Sequence, residues 1–395
     1  MSGLKIAVIG SGIGGLTAAV SLRQAGFDVD VYEQAPELTT IGGGINMGPN
    51  AVRVLYGLGL REGLHREGVR PLTHHQRRWD DGSTLAYTAI NPRCEDLYGA
   101  PHITIHRADL LDVIASGFPT DRIHLGHRLV GFDDVGDRAA VSFANGMRIE
   151  TDVLVGADGI HSAVRAGLFG EQAPQFAGCV AYRGLVPAAR IADLRLELGN
   201  QSWLGPGAHF VHYYVARGNL LNFVGWTEHD AWNRENWTDR ATIARALAAF
   251  ESWHPQVRQI IGAADACFIW ALFDRDPLPR WSAGRVTLLG DACHPMYPFM
   301  GQGAAQAIED GATLAACLKA GGDPAAALER YESLRLPRVT RLQQMSRANK
   351  SRFHMRDGPM QAARDAEWRR SPERDPEAMR WLYGFDASAL QAASA

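Results

Sequence analysis

At 395 residues, 46% hydrophobic and 21% charged, the chain is long enough for two or three domains with sizeable cores, and its composition is that of a folded protein. A formal charge of −3 imposes no basic face, which argues against nucleic acid and points to a small-molecule partner. Five cysteines (Cys94, Cys179, Cys267, Cys293, Cys317) form no C-x-x-C pair and no zinc spacing, and no apolar run is long enough to span a bilayer; the expectation is a cytoplasmic protein with free thiols, no metal and no membrane anchor.

The first apolar run, residues 5–9, reads as a buried parallel strand and leads directly into Gly10-x-Gly12-x-x-Gly15. The helix that follows carries Leu16, Val20, Leu22 and Ala25 on its apolar side, and a second strand over 28–32 ends at Glu33. Glycine suits this turn because a pyrophosphate must approach the backbone at a helix N-terminus, where free N–H groups and the helix dipole attract anionic oxygen. Glu33 lies where a carboxylate accepts the hydroxyl hydrogens of an adenosine ribose. Strand, glycines, helix, strand and acid in register predict a dinucleotide site, NAD or FAD.

A glycine-dense stretch, 41–48, precedes a helix with Val52, Leu55 and Leu58; it reads either as a flexible turn or as backbone packed against a flat ligand. His74-His75 lacks a third ligand and reads as a solvated loop. A short strand over 102–106 leads to a helix opened by Arg107, a planar five-donor cation suited to a pyrophosphate or, equally, to Asp109 or solvent. Strands are expected over 123–132 and 139–143, with Asn145-Gly146 as hairpin turn, followed by an apolar strand ending in Gly156-Ala157-Asp158-Gly159.

From 176 to 228 the texture changes to aromatic, alternating segments, which predict a separate antiparallel sheet with Arg217-Gly218-Asn219 turning one hairpin. Alternation puts His209, Val211 and Tyr213 on one face and His212 and Tyr214 on the other. A helix is expected over 242–261. Another buried strand then ends in Gly290-Asp291-Ala292-Cys293-His294-Pro295, and Gly301 and Gly303 precede a helix over 304–318. The remainder reads as charged helix held back by Trp368, Trp381 and Tyr383, with the basic run 350–356 as a solvated face.

Gly10-x-Gly12-x-x-Gly15 with Glu33, Asp158-Gly159, and Gly290 to Pro295 stand in an order and spacing that resemble the single-component FAD aromatic hydroxylases, the class of the salicylate, 3-hydroxybenzoate and 6-hydroxynicotinate enzymes. The resemblance covers nearly the whole chain. It implies an α/β fold: a Rossmann-like FAD domain (1–73, 101–175, 270–340), an inserted antiparallel-sheet substrate domain (74–100, 176–269) and a C-terminal helical segment (341–395). It implies FAD as cofactor, NADH or NADPH and O₂ as co-substrates, and hydroxylation of a small aromatic, phenolic or N-heteroaromatic acid through a flavin C4a-hydroperoxide, by a monomer or homodimer. By the same resemblance Gly10, Gly12, Gly15, Glu33, Arg107, Asp158, Asp291, Gly301 and Gly303 serve FAD, His209 and Tyr213 are catalytic, and Asn46 and Phe299 join them around the substrate. Asn46 and Phe299 stand where the nicotinate enzymes lead one to expect histidines, and residues 299–303 look like the corresponding loop of kynurenine monooxygenase. The rival reading is an FAD dehydrogenase or oxidase of a small amine or alcohol.

Overall fold

The computed structural model describes residues 3–38, 42–230, 240–387 and Ala389; Ile41 of the glycine-dense stretch and the alanine-rich end lie outside the described residues. The strand Lys5–Ile9 runs parallel to both of its neighbours, Asp28–Tyr32 and Val153–Gly156, with Ile6 opposite Val29 and Val153. Val286–Leu288 extends this sheet in parallel on one side and Ile123–His124 on the other, and an antiparallel edge strand, Ser282–Ala283, makes six. Ile6, Val8, Val29, Val31, Val153 and Val155 are buried, as strands covered on both faces require. The helices Ile13–Gln24 and Gly303–Lys319 cross so closely that a Cβ on Gly311 would lie 2.7 Å from the Ala18 nitrogen.

The second sheet has eight strands, in the order Arg240–Ala241, Cys267–Asp274, Gln175–Pro187, Leu220–Glu228, Ala208–Val215, Gly199–Gly205, Thr73–Arg78 and Thr84–Ala89. All pairings are antiparallel except Gly199–Gly205 with Thr73–Arg78, which run parallel because the second strand arrives from a distant part of the chain. One face of this sheet buries Phe210 and Phe223 against Phe250 and Trp253, which lie between the helices Ile243–Ala249 and Pro255–Gly262. Each such side chain stabilises the fold by about 1.5–3 kcal/mol. The other face looks towards the first sheet.

Several expectations shift. The helix expected over 242–261 is two helices: the first ends at Ala249, where Phe250 leaves the helical conformation, and Pro255, which has no N–H to donate, opens the second. The strand expected over 123–132 divides into Ile123–His124 and Leu129–Asp134, which pair in different sheets. His74-His75 belongs to a strand, not a loop. The expected domain limits at 269/270 and 340/341 fall inside the strand Cys267–Asp274 and the helix Pro324–Phe353, since hydrogen-bonded ladders continue across both. Among the described residues no helix is long and apolar enough to cross a membrane.

Candidate active site

A cavity of about 640 Å³ lies between the two sheets. At one end the first glycine loop divides its labour. Gly10 sits at φ +103° and is pressed against the chain, so that a Cβ would lie 2.5 Å from the Ala157 oxygen; a Cβ on Gly15 would fall 2.0 Å from the Gly10 oxygen. These two glycines permit strand and helix to touch. Gly12 differs: no protein atom comes within 4 Å of where its Cβ would be, and it lines the cavity. It is also the N-cap of Ile13–Gln24, with no side chain satisfying the helix's free N–H groups.

A second helix, Gly303–Lys319, opens on the same cavity without a side-chain cap and with no acid in its first turn. Arg107 begins a third, and its N–H donates to the Gly43 oxygen at 3.0 Å, which brings the glycine-dense stretch to the cavity wall. There Gly44 packs so tightly that a Cβ would lie 2.5 Å from Tyr213 Cε2, which supports close packing over a flexible turn. Gly301, at φ +62°, ends the turn Pro298–Met300 beside Asn46.

Asp291 projects into the cavity and accepts no hydrogen bond from the described residues. The side chain is exposed to the cavity, and the protein atoms crowded around it push its carboxyl up, against the pull of His294 and Arg107. Its loop is held from behind: Asp310 Oδ2 accepts from the Gly290 N–H at 3.0 Å and pairs with His294 Nε2 at 2.6 Å. Cys293, His294 and Asp310 come within 4.8 Å of one another, but Arg335 occupies the other Asp310 oxygen and the Cys293 thiol is turned to the Gly290 oxygen, so the cluster is a hydrogen-bonded strut.

Glu33 and Asp158 stand outside the cavity wall. Glu33 Oε2 accepts from the N–H and Oγ of Ser11, both at 2.8 Å, bracing the glycine loop. Asp158 accepts from Ser162 Oγ at 2.5 Å and from the N–H groups of Ala163 and Val164 at 2.7 and 3.2 Å. It thus ties down the start of Ala163–Phe169, and its neighbour Gly159, not Asp158 itself, reaches the cavity.

The other end of the cavity is walled by the strand Ala208–Val215. His209, Val211 and Tyr213 all face it, whereas His212 turns to the opposite side and accepts from Trp203 Nε1 at 3.2 Å. Phe299 stands edge-on to His209 at 4.8 Å and to Trp226 at 5.3 Å. Burial pushes the Tyr213 hydroxyl up and drives His209 well below its ordinary value, with His354 beside it adding to the latter. Tyr213 lies four steps along the strand from His209, about 13 Å. They do not touch; His209 Nδ1 is engaged by His354 at 2.7 Å.

Sequence reasoning missed two amides on this wall. Asn222, directly across from Tyr213, accepts from the Gly44 N–H at 2.7 Å through Oδ1 and leaves Nδ2 buried without a partner. Asn200 lies 2.7 Å from His74 through Nδ2 and leaves Oδ1 likewise. Their signal was alternation within each strand, which becomes a site only once register places both in one row with Tyr213.

The family model described as FAD binding domain matches residues 4–346. The chain belongs to that family. A 3-amino-4-hydroxybenzoate 2-monooxygenase of Streptomyces cremeus is 41% identical over 97% of this chain and 96% of its own length. A 6-hydroxynicotinate 3-monooxygenase of Pseudomonas fluorescens is 35% identical over 97% and 95%. The crystal structure of Klebsiella pneumoniae HpxO complexed with FAD and uric acid matches at TM-score 0.85 and 30% identity, covering 99% of this chain and 97% of that one.

This family member is therefore an FAD-dependent, NAD(P)H-consuming monooxygenase of aromatic rings, and the dehydrogenase or oxidase alternative falls away. The cavity suits the cofactor: two uncapped helix N-termini, an arginine and a glycine without a neighbour face the same space. Gly12→Val is expected to leave the fold intact but colourless, because a Cβ there has no protein atom within 4 Å and the side chain fills the place of closest approach. Gly15→Val should instead fail to fold. Flavin absorbance and a melting curve on each check this; full flavin occupancy in Gly12→Val contradicts it.

Asp291→Ala is expected to weaken FAD affinity while leaving the melting temperature of the apoprotein unchanged, because this carboxylate caps nothing within the protein. Titrating FAD into the apoprotein measures the first; a drop in apoprotein stability with unaltered affinity would count against a cofactor role.

Proposed function

We propose that this monooxygenase acts on a benzoate carrying adjacent amino and hydroxyl groups, the substrate type named for the S. cremeus relative. The observation that carries this reading is the set of buried amide atoms left without partners around the cavity: Asn200 Oδ1 and Asn222 Nδ2 from the eight-stranded sheet, and Asn46 Oδ1 from the strand Gly44–Met47 beside it. The amine offers donors to the carbonyl oxygens and the carboxylate an acceptor to the amide nitrogen, which leaves the hydroxyl, across the ring from the carboxylate, directed along the strand towards His209; such buried amide groups cost about 1–3 kcal/mol each if left unpaired. Arg183, on the same wall with its guanidinium 5.8 Å from the Trp270 ring, supplies a cation for the carboxylate. At Asn46 and Phe299 the wall presents an amide and a phenyl ring, which favours the benzoate over the nicotinate type.

In this reading bound FAD, reduced by NAD(P)H, supplies the activated oxygen. The protein holds it between the helix N-termini, shields the ring with Phe299 and Trp226, and makes a ring carbon nucleophilic by drawing the phenolic proton towards His209. A free phenol is mostly neutral at pH 7, with a pKa near 10, so this proton transfer is worth supplying. Tyr213 orients the substrate from the far end of the strand.

The test is a panel of 3-amino-4-hydroxybenzoate, 3-hydroxybenzoate, 4-hydroxybenzoate and 6-hydroxynicotinate, scored for stimulated NAD(P)H oxidation together with a product one oxygen heavier. The amino-hydroxy acid is expected to give the highest kcat/KM; a preference for 6-hydroxynicotinate would overturn the assignment.

A further inference from the structure

His209 lines the cavity with Nδ1 turned away, 2.7 Å from His354 Nε2, and Nε2 is thereby left on the cavity side with no hydrogen bond to a described residue. His354 closes the helix Pro324–Phe353 within the basic run that reads as a solvated face, and it lies beyond the family-matched residues 4–346. Its N–H donates to the Lys350 oxygen and its carbonyl accepts from the Gly207 N–H, both at 3.0 Å, so its backbone is bolted to the turn that begins the His209 strand. The ring is 3% exposed. Its outer nitrogen, Nδ1, is buried without a hydrogen-bond partner, 3.5 Å from Glu228 Oε1. Glu228 in turn is 34% exposed and is held by Arg356 at 3.0 Å on the surface.

Two imidazoles and a carboxylate thus connect the cavity with solvent. Burial keeps both rings neutral, His354 down at about 3, so neither can store a proton. A neutral ring can still pass one through, accepting on one nitrogen while releasing from the other.

We propose that His354 and Glu228 form the outlet through which the substrate's phenolic proton leaves the cavity by way of His209, an inference that rests on the phenolic substrate reading above. The O–H bond of the phenol breaks and a bond to His209 Nε2 forms. His209 Nδ1–H passes to His354 Nε2, and His354 Nδ1–H passes to Glu228 and on to water. Each group gives one proton for the one it receives, the substrate is left as phenolate, and no electrons move. A proton returning by the same route to the product resets both rings. His354 touches no substrate and is a positioning and relay residue.

The experiment mixes wild-type, His354→Gln, Glu228→Gln and Glu228→Asp holoenzymes in a stopped-flow instrument with a phenolic acid that the wild type hydroxylates, following phenolate absorbance. Glutamine at 354 keeps a hydrogen bond to His209 but cannot exchange tautomers. Phenolate formation is expected to slow about tenfold or more in His354→Gln and Glu228→Gln, less than the roughly 10²–10⁴ lost with a positioned base itself, because His209 remains. FAD content and substrate affinity should hold, and Glu228→Asp, which keeps a carboxylate, should recover much of the rate. Wild-type rates in both slow-arm variants, or an equal loss in Glu228→Asp and Glu228→Gln, would overturn the relay while leaving the substrate reading standing. A wild type that hydroxylates no phenolic acid would overturn both.

Discussion

Arg335→Met is expected to destabilise the protein by about 3–5 kcal/mol, because it removes one partner from a buried ionic network and leaves the others unpaired. Arg335, Glu309 and Asp310 are each 0% exposed. The guanidinium donates to Asp310 Oδ1 at 2.8 Å, to Gln306 Oε1 at 2.7 Å and to Glu309, which Arg338 and Asn50 also hold. Burial alone would push the Asp310 carboxyl up, but His294 and Arg335 outweigh it and hold it at about 2; Arg335 and Arg338 likewise hold Glu309 down. A carboxyl depressed on folding contributes stability above its unfolded pKa of about 3.9, and that contribution is lost as pH falls through the folded value. Without the arginine both carboxyls shift upward, so acid protonates them and relieves the variant. The gap from wild type should therefore be full at pH 7 and narrow on acidification to about pH 4. Urea unfolding at the two pH values measures it. Because Asp310 also holds the Gly290 N–H, the variant should lose FAD as well; a variant as stable as wild type at pH 7 would mean that the network is dispensable.

The dinucleotide loop was legible because its chemistry is local: strand, glycines, helix and acid occupy one short stretch, and backbone geometry leaves no other residue type at Gly10 or Gly15. The facing of His209 and Tyr213 was legible for a similar reason, since alternation along one strand has period two. What failed to show was anything that depends on register or on distant segments. Asn222 and Asn200 become wall residues only when three strands align, and His354 reaches His209 from 145 positions away along the chain, at the end of a helix whose charges suggested solvent. Asp158 shows the converse. Its motif marks a ligand-binding loop, yet the carboxylate is spent on Ser162 and two helix N–H groups, and what the loop presents to the cavity is the glycine beside it.

His209→Gln is expected to lower the hydroxylation rate by roughly 10²–10⁴, the usual loss when a positioned base is removed. Glutamine fills similar space among Phe299, Trp226 and Phe353 but cannot accept the phenolic proton and release another towards His354. Tyr213→Phe should behave differently. Tyr213 and His209 stand about 13 Å apart on the same face with Val211 between them, so the tyrosine acts on the far end of the substrate and not on the base. Its loss should raise KM and loosen ring placement, with a smaller fall in the rate of the bound complex. In both variants FAD stays bound, since neither side chain belongs to the glycine loop or the helix starts, and reduction by NAD(P)H should outlast hydroxylation because it needs no phenolate. Consumption of NAD(P)H should then exceed product, with H₂O₂ making up the difference. Measuring all three together separates the roles: a large kcat loss with uncoupling in His209→Gln against a KM effect in Tyr213→Phe supports the division, and wild-type rate and coupling in both would reduce these residues to sheet packing.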